Sequence, residues 1–358
     1  MSSTINAGPI SLSVFGESHG PAIGTVIDNL PAGEELDHDK IYEFMSRRAP
    51  KKDGTSTMRS EKDFPEIISG LYNGKTTGEA LCAIIRNHDQ HSADYKSISS
   101  LARPGHADYT GFLRYNGSCD QRGGGHFSGR LTAPLVFAGA VCGQLLEKRG
   151  VTVGAHIYSI ADAADIPFDP VNITAEELNE VKNRYLPVAD PKIDSKMRKA
   201  IDEARTELNS VGGIIECAAV GFPAGKGSPV FDGIENRISQ LVFAIPAVKG
   251  IEFGSGFKSA CLYGSENNDE FYTDGKEIRT RTNNAGGILG GISNGMPIIF
   301  RAAVKPTPSI ARPQNTVDYI KNENSVIEIK GRHDPCIVPR AVPCVEAAMN
   351  IALMSYFC

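Results

Sequence analysis

The chain has 358 residues, of which 41% are hydrophobic, so it can bury a substantial core as one large domain or two ordinary ones. Its net charge of -5 at pH 7 argues against a general nucleic-acid binder. No apolar run approaches the roughly 20 residues of a membrane span, and the N-terminal residues lack the charged and apolar regions of a secretory signal. We therefore expect neither a membrane nor a nucleic-acid partner.

Eight cysteines are spread along the chain without a C-x-x-C pair, and several, such as Cys142 and Cys217, lie in apolar context. This usage favours reduced, buried thiols in a cytoplasmic protein. His88 and His91, in the sequence HDQH, would share one face of a helix, but no second ligand pair follows them. We therefore predict no metal site.

The first predicted elements are two strands, residues 9–15 and 23–27, joined by a tight turn that contains His19. Such a turn fixes the position of a histidine, which either moves protons or only satisfies the turn. A short helix is predicted at 37–46, with Asp37 as its cap. The basic residues that follow this helix form either a solvated face or part of an anion site: Arg47, Arg48, Lys51 and Lys52.

Two further strands are predicted at 67–71 and 81–85, around a turn at 73–75. Residues 103–130 then hold four arginines, two histidines and seven glycines with almost no apolar periodicity, which excludes a core helix or strand. Glycines permit close approach of the backbone, arginines bind phosphate and carboxylate, and histidine moves protons near neutral pH. We expect a site for an anionic ligand with acid–base chemistry; a basic surface loop is the alternative.

The segments between residues 132 and 243 are predicted to be structural. A helix at 132–148 follows the 103–130 segment, and its Gly139 and Gly143 indicate close packing against another element. The N–H groups at its start favour an anion by roughly 0.3–1 kcal/mol. Two more strands are predicted at 151–158 and 214–220, and a helix is predicted at 234–243. A further helix follows the capping box at 174–177 and has Leu178, Val181 and Tyr185 on one face. Another helix, which ends at 212–213, is marked by the apolar spacing of Met197, Ile201, Ala204 and Leu208.

Residues 246–250 begin a second loop-rich region, and the glycines of 284–291 lack the flanking strand and helix of a dinucleotide fingerprint. A strand at 297–304 leads into residues 305–309 (KPTPS), which either hold a phosphate or form a rigid exit loop. Asp334 is either a turn residue or a tuned acid–base group. A C-terminal helix is predicted at 342–356. Without repeats or a long linker, we expect a single interwoven α+β domain over residues 1–358.

Six short motifs occur in a specific order and spacing, although each one alone would be weak. They are 15–20 (FGESHG), 103–108 (RPGHAD), 122–125 (RGGG), 285–291 (AGGILGG), 305–307 (KPT) and 332–335 (RHDP). Together they resemble the motifs of the chorismate synthase family, and the match covers nearly the whole chain.

The resemblance implies a lyase that converts 5-enolpyruvylshikimate 3-phosphate to chorismate and phosphate by anti 1,4-elimination, in the shikimate pathway to aromatic amino acids. It also implies reduced FMN as a required cofactor, with no net redox change. The family fold is a β-α-β sandwich, in which helices are layered between antiparallel sheets, and the family is generally homotetrameric. An external flavin reductase is the implied source of reduced FMN, as in monofunctional members of the family.

The resemblance also implies roles for individual residues. His19 would be the acid near the departing phosphate, His106 would lie near the flavin, and Asp334 would assist proton removal with Ser18 or Ser128 in a relay. Anionic groups of substrate or cofactor would be bound by Arg48, Arg122, Arg130 and Arg332. FMN contacts are implied at His126, Phe127, Ser128, Pro246, Ala247, Gly290, Lys305, Pro306, Thr307, Pro308, Ser309 and Arg332.

The chain departs from the common family pattern in three places. His126 and Phe127 stand where arginine and serine are common, and Leu131 stands where glutamate is common. The usual arginine and two threonines after Pro50 are replaced by residues 54–59 (GTSTMR). We expect the missing charge to come from Lys51, Lys52 or Arg59. These departures affect substrate contacts and any contacts with a pyridine nucleotide such as NADP.

Two rival interpretations remain open from the sequence. A phosphate-releasing lyase without flavin explains the arginines and histidines, but not the several separate loops that fit FMN. A flavin- or anion-binding module without turnover does not need three proton-moving groups such as His19, His106 and Asp334. Flavin binding tests the first rival, and the turnover of a His106→Ala variant tests the second.

Overall fold

The computed structural model describes residues 3–50, 63–87, 100–273, 275–329 and 334–358. Eight α-helices are described in these ranges: α1 His38–Ser46, α2 Asp108–Arg114, α3 Thr132–Glu147, α4 Ala175–Lys182, α5 Asp194–Thr206, α6 Ile234–Phe243, α7 Gly264–Asn267 and α8 Val338–Met354. Short 3-10 helices lie at Arg122–Phe127, Gly129–Leu131, Pro191–Ile193 and Gly256–Cys261.

The strands form two five-stranded antiparallel sheets and four small hairpins. The first sheet contains β1 Thr4–Ala7, β2 Ile10–Gly16, β3 Ala22–Asp28, β7 Leu81–Arg86 and β4 Pro65–Ser69, in that order across the sheet. The second sheet contains β11 Val248–Phe253, β16 Ile298–Val304, β10 Gly213–Val220, β8 Thr152–Ile160 and β9 Ala163–Ala164. The hairpins pair β5 Leu71–Tyr72 with β6 Lys75–Thr76, β12 Phe271–Thr273 with β13 Ile278–Thr280, β14 Ile288–Leu289 with β15 Ile292–Ser293, and β17 Gln314–Asp318 with β18 Glu323–Ile327.

Helices fill the space between the two sheets. Helix α3 contacts β3 and β7 of the first sheet and β8 of the second, while α8 contacts β8, β10 and α6. One hydrophobic core cluster includes residues of both sheets and of both helices. The fold is therefore α+β, with helices layered between antiparallel sheets, as the resemblance implied.

The α3–α8 contact depends on two small residues of α3. A Cβ on Gly139 would overlap Ala347, and a Cβ on Gly143 would lie 2.7 Å from the Asn350 Nδ2 atom. Both neighbours belong to α8, so the predicted close packing at these glycines is confirmed. The segment Gly129–Glu147 is long and apolar enough to cross a membrane by composition, but most of it is buried inside the protein, as in a core helix.

Local sequence signals place several elements correctly. Asp37 caps α1 by accepting hydrogen bonds from the N–H groups of residues 39 and 40, and Thr174 and Glu177 form the predicted capping box of α4. Helix α6 has the predicted bounds. All eight cysteines carry free thiols, and Cys142 and Cys217 are buried as predicted.

Other predictions were wrong in detail. Residues 248–250, assigned to a loop, begin strand β11, whose register shifts between Val248 and Gly250. Helices α4 and α5 end earlier than expected, so Tyr185 and Leu208 are exposed rather than inward-facing. Helix α8 starts at Val338, before the predicted residue 342, and contains Pro343. Strand β1 was not predicted.

A row of charged side chains crosses the second sheet. Glu216 on β10 stands directly opposite His156 on β8 and Arg301 on β16, and Arg301 stands opposite Glu252 on β11. The His156 Nε2 atom lies 3.0 Å from a Glu216 oxygen, and its Nδ1 atom lies 3.1 Å from Asp165. Because opposite charges alternate along the row, it stabilises the sheet across the strands.

Candidate active site

A triple-glycine loop is the centre of the candidate site. Gly123, Gly124 and Gly125 all have positive φ angles, at 61°, 86° and 54°. A Cβ on Gly123 would collide with the Nε2 atom of His19, and a Cβ on Gly124 would lie 3.3 Å from the Nε2 atom of His106. A residue with a Cβ would be strained in this backbone and would crowd the two histidines. The loop therefore brings together two histidines that are far apart in the sequence.

His19 lies in the tight turn between β2 and β3, as predicted, and it is buried. The turn is fixed to the triple-glycine loop by the backbone N–H of Ser18, which donates to the Gly125 carbonyl at 3.1 Å. Asn87 closes the turn from the other side by donating to the carbonyls of Glu17 and Gly20. The backbone of the turn is therefore held on two sides, by the main chain of Gly125 and by the side-chain amide of Asn87, which fixes the position of His19.

The two residues that depart from the family pattern attach the loop to the protein. The Nδ1 atom of His126 lies 2.9 Å from the Gly16 carbonyl oxygen, and its Nε2 atom lies 3.0 Å from the Ser3 hydroxyl. The ring of Phe127 packs against α2, where a Cβ on Gly111 would approach it to 2.6 Å. The next residue, Ser128, accepts a hydrogen bond from the Arg130 N–H and caps the short helix Gly129–Leu131.

His106 belongs to a compact cluster with Arg103 and Asp108. The His106 Nδ1 atom lies 2.8 Å from the Asp108 Oδ1 atom, and Arg103 donates to both oxygens of the same carboxylate at 2.7 Å. Burial would raise the pKa of Asp108, but the hydrogen bonds from Arg103 and His106 lower it far below its ordinary value. Asp108 is therefore a permanent hydrogen-bond acceptor at neutral pH.

Two segments predicted to contact FMN meet the His106 loop. The ammonium of Lys305 donates to the Gly105 carbonyl, and the Ser309 hydroxyl lies 3.4 Å from an Arg103 nitrogen. The backbone N–H of Lys305 donates to the carbonyl of Ala247, which has a φ of 75°, in the left-handed region. The segments 246–247 and 305–309 are therefore adjacent to each other and to residues 103–108.

A second cluster contains two of the three described arginines predicted to bind anions. Arg48 and Arg130 are both buried and both form ion pairs with the buried carboxylate of Asp63. Arg48 also donates to the Thr132 hydroxyl at 2.8 Å, at the start of α3. Burial would raise the pKa of Asp63, but the charges of Arg48 and Arg130 lower it. The carboxylate thereby fixes both guanidinium groups in place.

Asp334 lies beside this second cluster. The Arg340 guanidinium donates to Asp334 at 2.6 Å and to the backbone carbonyl of Arg48 at 3.0 Å. Arg340 is near the start of α8, so the last helix connects Asp334 with the two buried arginines. Arg332, also predicted to contact FMN, lies outside the described residues, as do Lys51, Lys52, Arg59, His88 and His91.

Two other predicted site residues occupy different surroundings. The exposed side chain of Arg122 forms an ion pair with Asp120 at 2.7 Å. Gly290 lies at the turn of the β14–β15 hairpin, and the next residue, Gly291, approaches Ser228 and Gly233 near the start of α6. A Cβ on Gly290 would meet nothing within 4 Å, so this turn residue has open space beside it.

The sequence did not identify Asp63 and Asp108 as site residues, although both contact predicted ones. For Asp108, the spacing R-x-x-H-x-D was a usable signal, since it placed an acceptor beside a histidine. Asp63 had no such signal, because its partners are 15 residues before it and 67 residues after it. Within the described ranges, no group of three or more His, Cys, Asp or Glu side chains is arranged to hold a metal ion.

The arrangement provides the parts of an acid–base site for anions. Two histidines approach one loop of consecutive glycines, and the buried cluster of Arg48, Arg130 and Asp63 adds a net positive charge, which Arg130 links to the His19 turn through Asn87. The chain as a whole is acidic, with a net charge of -5, so this local positive charge is what attracts an anion.

Comparisons with known proteins identify the family of this chain. A family model described as chorismate synthase matches residues 10–358. Chorismate synthases of Korarchaeum cryptofilum and Methanothermobacter thermautotrophicus are each 45% identical, over 97% and 96% of this chain and 95% and 91% of their own lengths. A solved structure described as "Crystal Structure of Chorismate Synthase" superposes with a TM-score of 0.75 at 28% identity, covering 97% of this chain and 91% of that one. This chain belongs to the chorismate synthase family, the carbon–oxygen lyases acting on phosphates (EC 4.2.3.5) of the shikimate pathway.

Proposed function

We propose that this chain eliminates phosphate from 5-enolpyruvylshikimate 3-phosphate by an anti 1,4-elimination that requires reduced FMN. The carbon–oxygen bond to phosphate breaks, a proton is lost from the far end of the allylic system, and the new double bond gives chorismate. The observation that carries this proposal is the approach of His19 and His106 to one triple-glycine loop in a chain of this family.

The residues around His106 fit a phosphate-bearing flavin. The donors there are the ammonium of Lys305, the guanidinium of Arg103 and the hydroxyl of Ser309, which suit a phosphate group. The left-handed backbone at Ala247 brings a second loop beside them. The chemistry that reduced FMN would supply there is a transient donation of electron density to the substrate. The residues proposed to contact it are His126, Phe127, Ser128, Pro246, Ala247, Gly290, Lys305, Pro306, Thr307, Pro308, Ser309 and Arg332.

The buried arginines suit a substrate with one phosphate and two carboxylates. Arg48, Arg130 and Arg340 contribute three positive charges, while Asp63 and Asp334 contribute two negative ones. The cluster therefore keeps an excess of one positive charge, which a substrate anion can neutralise. The ion pairs with Asp63 hold the guanidinium groups before the substrate arrives, so less freedom is lost on binding. Exposed Arg122 would contribute from the rim of the site.

Proton movement is assigned to three groups. His19, beside the triple-glycine loop, would donate to the departing phosphate, and such general acid help typically gives about 10²–10⁴-fold. His106 would set the protonation state of the bound cofactor. Asp334, joined through Arg340 to the carbonyl of Arg48, would assist removal of the substrate proton with Ser18 or Ser128 as relay.

The proposal also covers the domain organisation, the number of subunits and the cellular location of this protein. We propose one domain over residues 1–358, supported by the shared core cluster of both sheets. We also propose a cytoplasmic homotetramer that receives reduced FMN from an external flavin reductase, as the family resemblance implies. Light scattering on the purified protein measures the subunit number, and a monomer or dimer would contradict the tetramer.

The test is an anaerobic assay of phosphate release and chorismate absorbance with 5-enolpyruvylshikimate 3-phosphate and dithionite-reduced FMN. We expect turnover with reduced FMN and none with oxidised FMN. Turnover without any flavin would overturn the cofactor assignment and favour a flavin-independent lyase. Tight flavin binding without any turnover would overturn the reaction and indicate a diverged relative with another substrate.

A further inference from the structure

Asp108 is the acceptor around which the His106 cluster is built. Its Oδ2 atom receives the backbone N–H of Arg103 at 3.0 Å and the Arg103 Nε–H at 2.7 Å. Its Oδ1 atom lies 2.7 Å from the Arg103 Nη2 atom and 2.8 Å from the His106 Nδ1 atom. All three side chains are largely buried, with Arg103 only 7% exposed.

The His106 Nδ1 atom has two polar neighbours, and they require opposite tautomers. A carboxylate oxygen only accepts, so Asp108 needs a proton on Nδ1, whereas a guanidinium only donates, so Arg103 would need a bare Nδ1. The geometry decides between them. The Arg103 Nη2 atom lies 3.0 Å from Nδ1 but also 3.4 Å from Nε2 of the same ring.

The two ring nitrogens are separated by Cε1, and their in-plane directions diverge. An atom in the ring plane and in line with the Nδ1 lone pair would therefore be much farther from Nε2 than from Nδ1. Similar distances to both nitrogens therefore place the Arg103 Nη2 atom over the face of the ring. A donor over the face does not reach the in-plane lone pair, because hydrogen bonds weaken steeply away from a linear approach. The in-plane partner of Nδ1 is Asp108.

We propose that Asp108 is a positioning residue that holds His106 as the Nδ1–H tautomer, so that Nε2 is the bare, proton-accepting nitrogen. A Cβ on Gly124 would lie 3.3 Å from both Cε1 and Nε2 of this ring, so Nε2 lies next to Gly124. The accepting nitrogen is thus presented at the triple-glycine loop. The tautomer assignment stands on this geometry, and its catalytic use rests on the role proposed above for His106.

Replacing Asp108 by asparagine should reverse the tautomer with little change in shape. The amide oxygen accepts from two Arg103 donors in the Oδ2 position but from only one in the Oδ1 position, so the amide NH₂ should occupy the Oδ1 position. That NH₂ only donates, and it therefore favours a bare Nδ1 and a proton on Nε2 of His106. The accepting nitrogen would then be directed away from the triple-glycine loop.

The experiment records the histidine ring signals of protein labelled with nitrogen-15 histidine, without flavin or substrate. Comparison with a His106→Gln sample identifies the His106 signals among those of the eight histidines. We expect the Nδ1–H tautomer in the wild type and in Asp108→Glu, which keeps the acceptor, and the Nε2–H tautomer in Asp108→Asn. In the anaerobic assay, Asp108→Asn should lose about 10²-fold in kcat with KM nearly unchanged, and Asp108→Glu should recover part of it.

Asp232→Asn is the matched control, because Asp232 also pairs with an arginine, Arg237, whose other hydrogen bond goes to Ser355 just after α8 and not to the candidate site. It should change neither the His106 tautomer nor kcat. An Nε2–H tautomer in the wild type overturns the proposal even if Asp108→Asn does not fold. So does an Nδ1–H tautomer that persists in folded Asp108→Asn. Failure of the proposed reaction is distinguishable, because it would abolish wild-type turnover while leaving the tautomer result intact.

Discussion

Two histidines of this protein, His106 and His156, both contact carboxylates, but in different surroundings. His156 is fully buried in the second sheet and has a carboxylate at each ring nitrogen, Asp165 and Glu216. His106 has one carboxylate, Asp108, at Nδ1, and its Nε2 atom lies next to the triple-glycine loop. The two carboxylates at His156 hold its positive charge in place. The single carboxylate at His106 leaves Nε2 as a nitrogen that can exchange a proton.

The contrast shows that contact with a carboxylate does not by itself mark a histidine as catalytic. His156 is held by hydrogen bonds on both sides, and its ring packs 4.3 Å from that of Phe168, so nothing else can approach it. What distinguishes His106 is the approach of the Gly124 backbone to the Cε1 and Nε2 atoms of its ring, which is where we propose that it acts. Substitution of His106 should therefore lower turnover, whereas substitution of His156 should lower stability.

The largest expected effect is on turnover at the triple-glycine loop. His19→Ala and His106→Ala should each lower kcat by about 10²–10⁴-fold, since each removes a proton-moving group. Thermal unfolding should change little, because neither side chain belongs to the hydrophobic core. Wild-type kcat in either variant, measured in the anaerobic assay, would remove that histidine from the mechanism.

His156→Gln should show the opposite behaviour. Removing the shared cation takes one partner from each of two buried carboxylates, although Glu216 keeps Arg301 and Asp165 keeps backbone N–H donors, so the free energy of unfolding should fall by about 1–3 kcal/mol. Urea unfolding measures this change, and kcat of the folded fraction should stay near that of the wild type. His38→Gln, on the exposed first turn of α1, is the control and should be neutral. A stable but inactive His156→Gln variant would contradict the structural role.

A smaller loss of turnover is expected from Gly123→Ala. The left-handed backbone costs an alanine about 1–2 kcal/mol, and the new methyl group also displaces His19, which should lower kcat by about 10²-fold. Gly74→Ala is the control, because Gly74 has a similar φ of 76° but open space around it. Both variants should lose similar stability, but only Gly123→Ala should lose turnover. Equal kcat in the two variants would contradict the close fit at His19.

The smallest effect is the dependence of stability on pH. Burial alone would lower the pKa of His156, but hydrogen bonds to Asp165 and Glu216 raise it above its ordinary value of 6.5. The charged histidine therefore contributes its full stabilisation below pH 6.5, and this contribution is lost as the pH rises through the raised folded value, at up to about 1.4 kcal/mol per pH unit. The stability difference between wild type and His156→Gln should thus shrink on raising the pH. A difference that grows would show that His156 is neutral in the folded protein.

Local signals in the sequence predict most of the scaffold, because caps and periodicity depend on neighbouring residues. Asp37 and Thr174 begin helices where expected, and the glycines of α3 meet α8. Strand β11 was missed, since its register shift near Gly250 interrupts the alternation that marks a strand. Tyr185 was misplaced because α4 ends one turn earlier than its apolar spacing suggests.

Less of the candidate site than of the scaffold could be predicted from the sequence. Composition indicated an anionic ligand at 103–130, but the resemblance was needed to assign roles, and the meeting of distant loops appears only in three dimensions. Lys305 contacts Gly105 across 200 residues of chain, and Asp63 joins Arg48 to Arg130. Contacts between residues this far apart in the sequence depend on the whole fold, so no local sequence pattern predicts them.

The three consecutive glycines also have a consequence for local stability. Glycine has the largest conformational freedom in an unfolded chain, so ordering three in succession is entropically expensive. The segment has few side chains with which to offset that loss, whereas neighbouring α3 is almost wholly buried. We expect amide hydrogens of Gly123, Gly124 and Gly125 to exchange with solvent far faster than those in the middle of α3. Equal protection would show that the loop opens only when the whole protein unfolds.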